Sequence, residues 1–217
     1  MANEKSALKT KIMTVLALIN SFIIWAVTAT VIAGSLLIIL RSIFNYVDVN
    51  PFTWHARQVR RATDPVITPV RAMLMAFRLD PKVAPFIVIV LMIVVGFLIV
   101  QIAGTLLNTL AGIVYAVTTR KLGAPAGIAG YLLFGALGLY TLAIMVRIVL
   151  SWLGYGYGHP LMRFLIRITE PLLGPLRRKL PTVGMFDVSP IVAFLIVYIC
   201  QAAVAATLLR DWPIRFF

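Results

Sequence analysis

Two short stretches of this 217-residue sequence place an acidic residue among arginines and prolines. The stretches "RATDPVITPVR" (residues 61–71) and "RITEPLLGPLR" (residues 167–177) agree at Arg, Thr, Pro, Pro and Arg, and Asp64 aligns with Glu170. Arginine binds carboxylates and phosphates through a planar fork of N–H donors. This residue pattern therefore predicts either an internal ion pair at a membrane surface or a site for an anionic lipid headgroup or a partner protein.

The candidate contacts with a partner or a lipid headgroup are one threonine, two acids and six arginines: Arg61, Asp64, Arg71, Arg163, Arg167, Thr169, Glu170, Arg177 and Arg178. The same residues suit a helix cap whose acid pairs with a neighbouring arginine, so the pattern alone leaves both interpretations open. Pro171 and Pro175 each remove a backbone donor, which predicts a helix break near Thr169 to Pro171, with Thr169 as the N-cap of the next turn.

The composition determines what kind of elements carry these stretches. The mean hydropathy is +0.99 and only 12% of the residues are charged, whereas about a quarter are charged in a soluble domain. We therefore predict an all-α integral membrane protein. Four apolar runs are long enough to cross a bilayer, and they cover residues 12–40, 83–117, 127–153 and 188–209.

The two matching stretches are 106 residues apart, and the same offset pairs Arg41 with Arg147. We interpret the chain as two tandem repeats of one unit, each consisting of a span, a basic Pro-containing segment and a second span. Both copies then enter the membrane in the same orientation. The predicted parts are a basic tail (residues 1–11), a first repeat (12–117), a short connection (118–126) and a second repeat (127–217).

The segment between the spans of each repeat is predicted to be an amphipathic helix lying in the membrane interface. Its apolar face in the second copy is predicted from spacings of three and four residues, and it comprises Leu161, Leu165, Ile168, Leu172 and Leu176. Arg163 and Arg167 lie on another face, from which they would reach lipid phosphates.

Arg41 and Arg147 lie close to the ends of apolar helices. We expect each to extend to the interface or to pair with an acid such as Asp48 or Asp187. Polar and small residues within the spans are predicted to pack helices against one another. These helix-packing residues are Gln101, Gly104, Asn108, Gly112 and Gln201.

The sequence contains no pairing of nucleophile and base, no set of metal ligands and no cofactor motif, so we expect neither an enzyme nor a bound cofactor. Cys200 is the one cysteine, and His55 and His159 lack carboxylate or thiol neighbours. The net charge of +13 comes from short stretches beside the spans. We therefore expect anionic lipid headgroups as partners, and no direct binding of nucleic acid.

The orientation in the membrane is a balance of two signals. The two long connections, residues 41–82 and 147–187, carry 13 of the 20 basic residues, which favours the cytoplasm for both connections. Three lysines precede the first span and favour the cytoplasm for the N-terminus instead, so the orientation stays open.

Three further stretches carry a resemblance to a known family. The sequences "RIVLSW", "HPLMRFLIRITEPLLGPLRRKLP" and "FDVSPIVAFLIVYICQ" resemble the YggT/YlmG family of small bacterial inner-membrane and plastid proteins. The stretch from "RSIFNYVDVNPF" to "DPKVAPF" resembles a second, more divergent copy, and two copies occur in this family. The resemblance implies a multi-pass protein of the cell inner membrane, but no catalytic residue.

The resemblance also bears on function, since members have been linked to osmotic stress and potassium homeostasis, to cell division and nucleoid distribution, and to cytochrome maturation in plastids. We expect a non-enzymatic scaffold or a factor in assembly, division or stress, with a membrane-protein partner. The alternative is an ion channel or a modulator of potassium transport, although none of the predicted spans contains Asp or Glu. Homo-oligomerisation stays open.

Overall fold

The long apolar runs fold as helices because a helix satisfies its own backbone hydrogen bonds in a lipid environment. A computed structural model describes residues 2–47, 53–76, 78, 80–119, 123–180 and 187–217, and these residues contain helices and no strand. The helices are α1 (Ala2–Tyr46), α2 (Trp54–Ala76), a 3₁₀ turn (Pro81–Val83), α3 (Ala84–Thr119), α4 (Ala124–Trp152), α5 (Pro160–Lys179) and α6 (Ser189–Thr207).

Four of these helices are long and apolar enough to cross a membrane, which confirms the predicted fold class. They are α1, α3, α4 and α6. The predicted spans lie within a few residues of the helices, except that α1 begins at Ala2 and therefore includes the predicted basic tail. The shortest, α6, has 19 residues and is about 28 Å long, close to the ~30 Å thickness of the bilayer core.

Proline and glycine mark the helix starts. Pro160 and Pro190 lie in the first turns of α5 and α6, where the missing N–H has no helical partner to lose. Gly123 precedes α4 with a φ of 103°, a conformation that glycine adopts without steric strain. Residues 120–122 of the predicted short connection, including Arg120 and Lys121, lie outside the described residues.

Prolines also lie inside two helices, where the sequence predicted a break. Pro171 and Pro175 are within α5, which runs without interruption from Pro160 to Lys179, and α2 contains Pro65 and Pro69 in the same way. The prediction of a break and of an N-cap at Thr169 is therefore wrong. Each proline removes a hydrogen bond, but one buried face of each helix packs along its length and holds the helix together.

The chain divides into two compact units. The small unit comprises Ile23–Val100, and the large unit comprises Met1–Phe22 together with Gln101–Phe217. These packing units differ from the repeats predicted at 12–117 and 127–217, because α1 and α3 each contribute to both units. The repeat boundaries therefore stay a prediction from the sequence.

Each unit has an apolar core. In the small unit the core joins α1, α2 and α3, and its buried residues are Ile38, Ile67, Val70, Leu74, Ala84 and Val88. In the large unit, one cluster joins α4, α5 and α6 through Ile144, Leu173 and Ala193. A second cluster joins α3, α4 and the C-terminal segment through Ala116, Tyr131 and Leu209.

The C-terminal segment is held against α3 and α4 by aromatic rings and hydrogen bonds. The Tyr131 hydroxyl donates to the Pro213 carbonyl at 2.7 Å, and the Phe216 N–H donates to Asn108 Oδ1 at 2.9 Å. The Phe216 ring lies 5.7 Å from the Tyr115 ring and 6.0 Å from the Tyr131 ring. This end of the large unit is thus closed by aromatic residues, which favour the membrane–water boundary.

Candidate functional site

A buried arginine joins α1 to α2 in the small unit. Arg41 is only 6% exposed, and its NH1 group donates to Thr63 Oγ1 at 2.7 Å and lies 2.7 Å from Asp64 Oδ1. The Thr63 hydroxyl donates to the Val59 carbonyl at 2.7 Å, so its lone pairs face the guanidinium. We call Arg41, Thr63 and Asp64 the Arg41 cluster.

A second buried arginine joins α4 to α5 in the large unit. Arg147 is 5% exposed; its NH1 group donates to Thr169 Oγ1 at 2.6 Å, and its NH2 group donates to Glu170 Oε2 at 2.8 Å. The Thr169 hydroxyl donates to the Leu165 carbonyl at 2.8 Å. We call Arg147, Thr169 and Glu170 the Arg147 cluster.

These contacts explain how an arginine is tolerated within an apolar helix. Burying a charge is unfavourable unless the charge is paired and hydrogen-bonded, and each guanidinium meets both a carboxylate and a hydroxyl oxygen. The carboxylates of Asp64 and Glu170 stay about half exposed, at 52% and 46%. Each cluster fixes a Pro-containing helix to the end of the preceding span.

Both arginines are buried and each pairs with an acid, which is one of the two predicted surroundings, but the acids differ from those named. Arg147 pairs with Glu170 and not with Asp187, and the other proposed acid, Asp48, lies outside the described residues. Thr169, predicted as a partner or lipid contact, is fully buried and contacts Arg147.

Arg177 extends the Arg147 cluster toward α6. Its Nε donates to Asp187 Oδ2 at 2.7 Å, and its NH1 lies 4.0 Å from Glu170 Oε2. Asp187 Oδ1 accepts a hydrogen bond from the Ser189 N–H at the start of α6. Burial alone raises the pKa of Asp187, but the hydrogen bonds from Ser189 and Arg177 outweigh it and hold this pKa below its ordinary value.

The small unit has no counterpart to this extension among its described residues. Arg71, which aligns with Arg177, forms no ion pair there, and its buried Nε has no hydrogen-bond partner. Asp80 instead accepts a hydrogen bond from the Lys82 N–H at 2.9 Å and caps the 3₁₀ turn. Among the described residues, a connection from the arginine cluster to the start of the following span is therefore found in the large unit alone.

The side of α5 that faces away from the bundle carries two kinds of residue. Arg163, Arg167 and Arg178 are exposed along one side, and a neighbouring side exposes Leu161, Phe164 and Ile168. Of the predicted basic contacts on α2, Arg61 is exposed and Arg71 is partly buried.

The apolar face predicted for α5 is wrong in part. The buried residues are Met162, Leu165, Thr169 and Leu173, whereas Leu161 and Ile168 are exposed. The single apolar stripe read from the sequence therefore combined residues packed against the bundle with residues on an exposed side of α5.

The predicted helix-packing residues have different surroundings. Gln201 Nε2 of α6 donates to the Phe134 carbonyl of α4 at 3.3 Å. A side chain on Gly112 would overlap the Tyr131 ring, whereas a side chain on Gly104 would meet no atom within 4 Å. The prediction of close helix packing is therefore wrong for Gly104. Gln101 is exposed, and Asn108 binds the C-terminal segment and not another helix.

The described residues contain no group of three His, Cys, Asp or Glu side chains that could hold a metal ion. His55 packs its ring against Trp54, and His159 packs against Tyr155. Cys200 is exposed on α6. The charged chemistry that the geometry does assemble is the pairing of arginine with threonine and a carboxylate, and this pairing positions helices.

Comparison with known proteins gives matches for both halves. The CCB3/YggT family matches residues 126–208. "Uncharacterized protein YggT" of Escherichia coli K12 is 34% identical over 70 residues, which cover 32% of this chain and 37% of that protein. The matched part thus spans little more than a third of that relative's length.

Two relatives match over more of the chain. "Uncharacterized protein PA0392" of Pseudomonas aeruginosa is 28% identical over 169 residues, which cover 74% of this chain and 76% of that protein. An "Uncharacterized protein" of Haemophilus influenzae is 27% identical over 169 residues, covering 75% and 80%. No solved structure matches the chain.

Proposed function

Because the chain belongs to the CCB3/YggT family through residues 126–208, we propose that it is a non-enzymatic scaffold or assembly factor of the cell inner membrane. It acts through helix packing and through the exposed basic sides of α2 and α5. Its partners are anionic lipid headgroups and a membrane protein. Division and stress responses are the processes in which a factor of this kind would act.

The buried arginine clusters are the observation that carries this proposal. Each cluster holds one Pro-containing helix rigidly against the preceding span through two short polar contacts. On α5, the opposite side then presents Arg163, Arg167 and Arg178 to the surroundings. A rigid helix loses little conformational entropy when it binds a partner, which favours a docking role.

We also propose that the chain arose by duplication of one unit. The support is that the arginine, the threonine and the acid of the two clusters recur at the same offset of 106 residues and make equivalent contacts. A duplicated scaffold would present two related docking helices.

The scaffold proposal is tested by separating the docking surface from the clusters that position it. Arg163→Gln with Arg167→Gln removes surface charge and leaves the Arg147 cluster intact. The matched control is Arg210→Gln with Arg215→Gln, two exposed arginines of the C-terminal segment. In native membranes, chemical cross-linking and quantitative mass spectrometry should show loss of specific cross-linked proteins for the α5 variant alone. Equal cross-linking in both variants would contradict the scaffold proposal.

Ion transport is the second candidate, and one observation favours it. Arg41 and Arg147 lie within candidate spans, and charges inside spans often mark ion pathways. Purified protein in proteoliposomes should then conduct potassium under an osmotic gradient, and Glu170→Ala should abolish this flux. A flux that depends on Glu170, with unchanged cross-linking partners, would replace the scaffold proposal by a channel or a transport modulator.

A further inference from the structure

The small unit contains an apolar groove between α1, α2 and α3. The groove has a volume of about 490 Å³ and opens along one side. Its wall on α2 is formed by Val66 and Val70, and its wall on α3 runs from Val88 to Ile99. Val66 and Ile99 are 45% and 46% exposed, so the groove reaches the surface of the unit at both residues.

The chemistry of the lining excludes a polar occupant. Thr30 supplies the lining's only side-chain hydroxyl, and this hydroxyl donates to the Ala26 carbonyl at 2.8 Å. A ligand with hydrogen-bonding groups would leave them unpaired here, which is unfavourable. The groove therefore suits a hydrocarbon.

Small side chains create the groove. Gly96 is part of the lining, and a Cβ there would come within 2.8 Å of Val31, so the glycine lets α3 approach α1 closely beside the groove. Leu172 and Leu176 of the large unit occupy the positions that align with Val66 and Val70, and both leucines pack against the core there. The two valines that line the groove are thus each one methylene shorter than the aligned leucines of the large unit.

The dimensions of the groove decide between an acyl chain and a further helix. From Val88 to Ile99 the wall on α3 rises about 16 Å at ~1.5 Å per residue. Dividing the volume of about 490 Å³ by this length gives a mean cross-section of about 30 Å², whereas a helix ~10 Å across occupies about 80 Å². A groove this narrow suits one extended hydrocarbon chain, whereas a helix lying over its open side would place only side chains in it.

The charge of α2 indicates which headgroup would accompany that chain. A lipid whose chain lies along Val66 and Val70 has its headgroup beside α2. This helix carries four arginines and one acid, and the acid, Asp64, already pairs with Arg41. Excess positive charge at a membrane surface attracts anionic headgroups.

We propose that the groove of the small unit binds one acyl chain of an anionic phospholipid, with the phosphate beside α2. The phosphate contact rests on the proposed function, which already assigns anionic headgroups to the basic side of α2. The acyl-chain groove goes beyond it, lies in the small unit and uses none of the exposed arginines of α5, so the α5 variants and the groove variants test the two proposals separately. The site makes one lipid an integral part of the packing between α1, α2 and α3.

The test fills the groove with the residues that the large unit already uses. Full-length protein carrying Val66→Leu and Val70→Leu is compared with the wild type and with Val90→Leu plus Val117→Leu, which adds the same volume at exposed positions of α3 outside the groove. After delipidation in detergent, each protein is offered phosphatidylglycerol or phosphatidylcholine with identical chains. Retained lipid is counted by native mass spectrometry.

We expect the wild type and the exposed control to retain about one phosphatidylglycerol per chain, and the filled variant to bind it roughly tenfold more weakly, since burial of each methylene contributes about 0.8 kcal/mol. The filled variant should also melt at a higher temperature than the delipidated wild type, because its cavity is smaller. That combination distinguishes lost binding from lost folding.

Three results would overturn the proposal. Equal retention by the filled variant and the wild type would exclude the groove as the lipid site, and equal retention of both lipids would exclude recognition of an anionic headgroup. If the filled variant changed its oligomeric mass but kept its lipid content, the groove would instead bind a second copy of the chain.

A measurement on the wild type keeps the proposal testable if the filled variant does not fold. Chain-labelled anionic lipid in reconstituted membranes should give an electron paramagnetic resonance component immobilised by the protein, amounting to about one lipid per chain beyond the ordinary boundary layer. Its absence would contradict the proposal.

Discussion

The Arg41 cluster and the Arg147 cluster share three residue positions and differ in how the guanidinium is used. In the Arg147 cluster, NH1 meets the threonine and NH2 meets the glutamate. In the Arg41 cluster, one nitrogen, NH1, meets both the threonine and the aspartate, and Nε is buried without a hydrogen-bond partner among the described residues. The cluster with the longer acid thus distributes its contacts over two nitrogens.

The difference follows from one methylene group. Asp64 is shorter than Glu170, so its carboxylate reaches the same NH1 group that Thr63 already occupies. The comparison teaches that a buried arginine needs both a partner and a partner of sufficient length, because each unsatisfied buried donor lowers stability. The Arg147 cluster also gains Arg177 and Asp187 as a connection to α6.

The largest expected effect comes from removing the glutamate. Glu170→Ala leaves Arg147 buried without its carboxylate, and we expect the free energy of unfolding of α5 to fall by about 2 kcal/mol, less than the ~3 to 5 kcal/mol for a fully buried pair because Glu170 is half exposed. Asp64→Ala should lower the free energy of unfolding of α2 by about half as much, because Arg41 NH1 keeps its hydrogen bond to Thr63. Hydrogen–deuterium exchange of α5 and α2 amides measures both.

If Glu170→Ala increased the exchange of the α5 amides no more than Asp64→Ala increased that of the α2 amides, the proposed difference between the clusters would be wrong. Lys179→Ala, a truncation of an exposed residue at the end of α5, is the control for an unspecific effect on that helix. We expect it to leave the exchange of the central α5 amides unchanged.

The next effect tests what the clusters share. Thr169→Val and Thr63→Val keep the side-chain shape but remove the hydroxyl that accepts from NH1, and we expect a loss of about 1 to 2 kcal/mol in each helix. The two losses should agree because the donor–acceptor distances are 2.6 Å and 2.7 Å. Thermal unfolding of the purified variants, followed by circular dichroism, would show an imbalance if only one threonine supports its arginine.

A reciprocal exchange of the acids sharpens the comparison. Asp64→Glu should let the carboxylate reach NH2 of Arg41 and stabilise α2, whereas Glu170→Asp should destabilise α5, each by about 0.5 to 1 kcal/mol because the carboxylates are partly exposed. We therefore expect slower hydrogen–deuterium exchange of the α2 amides in Asp64→Glu and faster exchange of the α5 amides in Glu170→Asp. Two changes of the same sign would mean that side-chain length is not the cause of the difference.

The parts of the fold that follow from composition were predictable from the sequence. Long apolar runs without acids determine α3, α4 and α6, and the observed ends lie close to the predicted ones. The partners of the buried arginines were not predicted, although the sequence contains a signal for them. The arginine and the acid are 23 residues apart in both halves, a spacing that favours a contact between a span and the following helix.

Two features depend on tertiary packing and were mispredicted for that reason. Pro171 weakens a helix locally, but Leu165, Thr169 and Leu173 are buried on both sides of it and keep α5 continuous. Gly104 lies on a stripe of small residues, yet a Cβ added there would meet no atom of the described residues within 4 Å. Local spacing defines which residues share a face, and only the arrangement of the helices decides what that face meets.

The smallest expected effect concerns the connection that, among the described residues, occurs in the large unit alone. The pKa of Asp187 is lowered in the folded protein, so its contribution to stability is complete above the unfolded pKa of about 4 and is lost as the pH falls through the lowered folded value. Wild type and Asp187→Asn should therefore differ in melting temperature by about 1 °C at pH 6, a small shift typical of exposed ion pairs. The difference should shrink as the pH falls below the lowered folded pKa, because the wild-type carboxyl is then protonated while Arg177 stays charged. Asp80→Asn, which alters the cap in the small unit, serves as the control that does not touch Arg177. A difference that persists unchanged below the folded pKa of Asp187 would mean that the side-chain shape of this residue, and not its charge, connects α5 to α6.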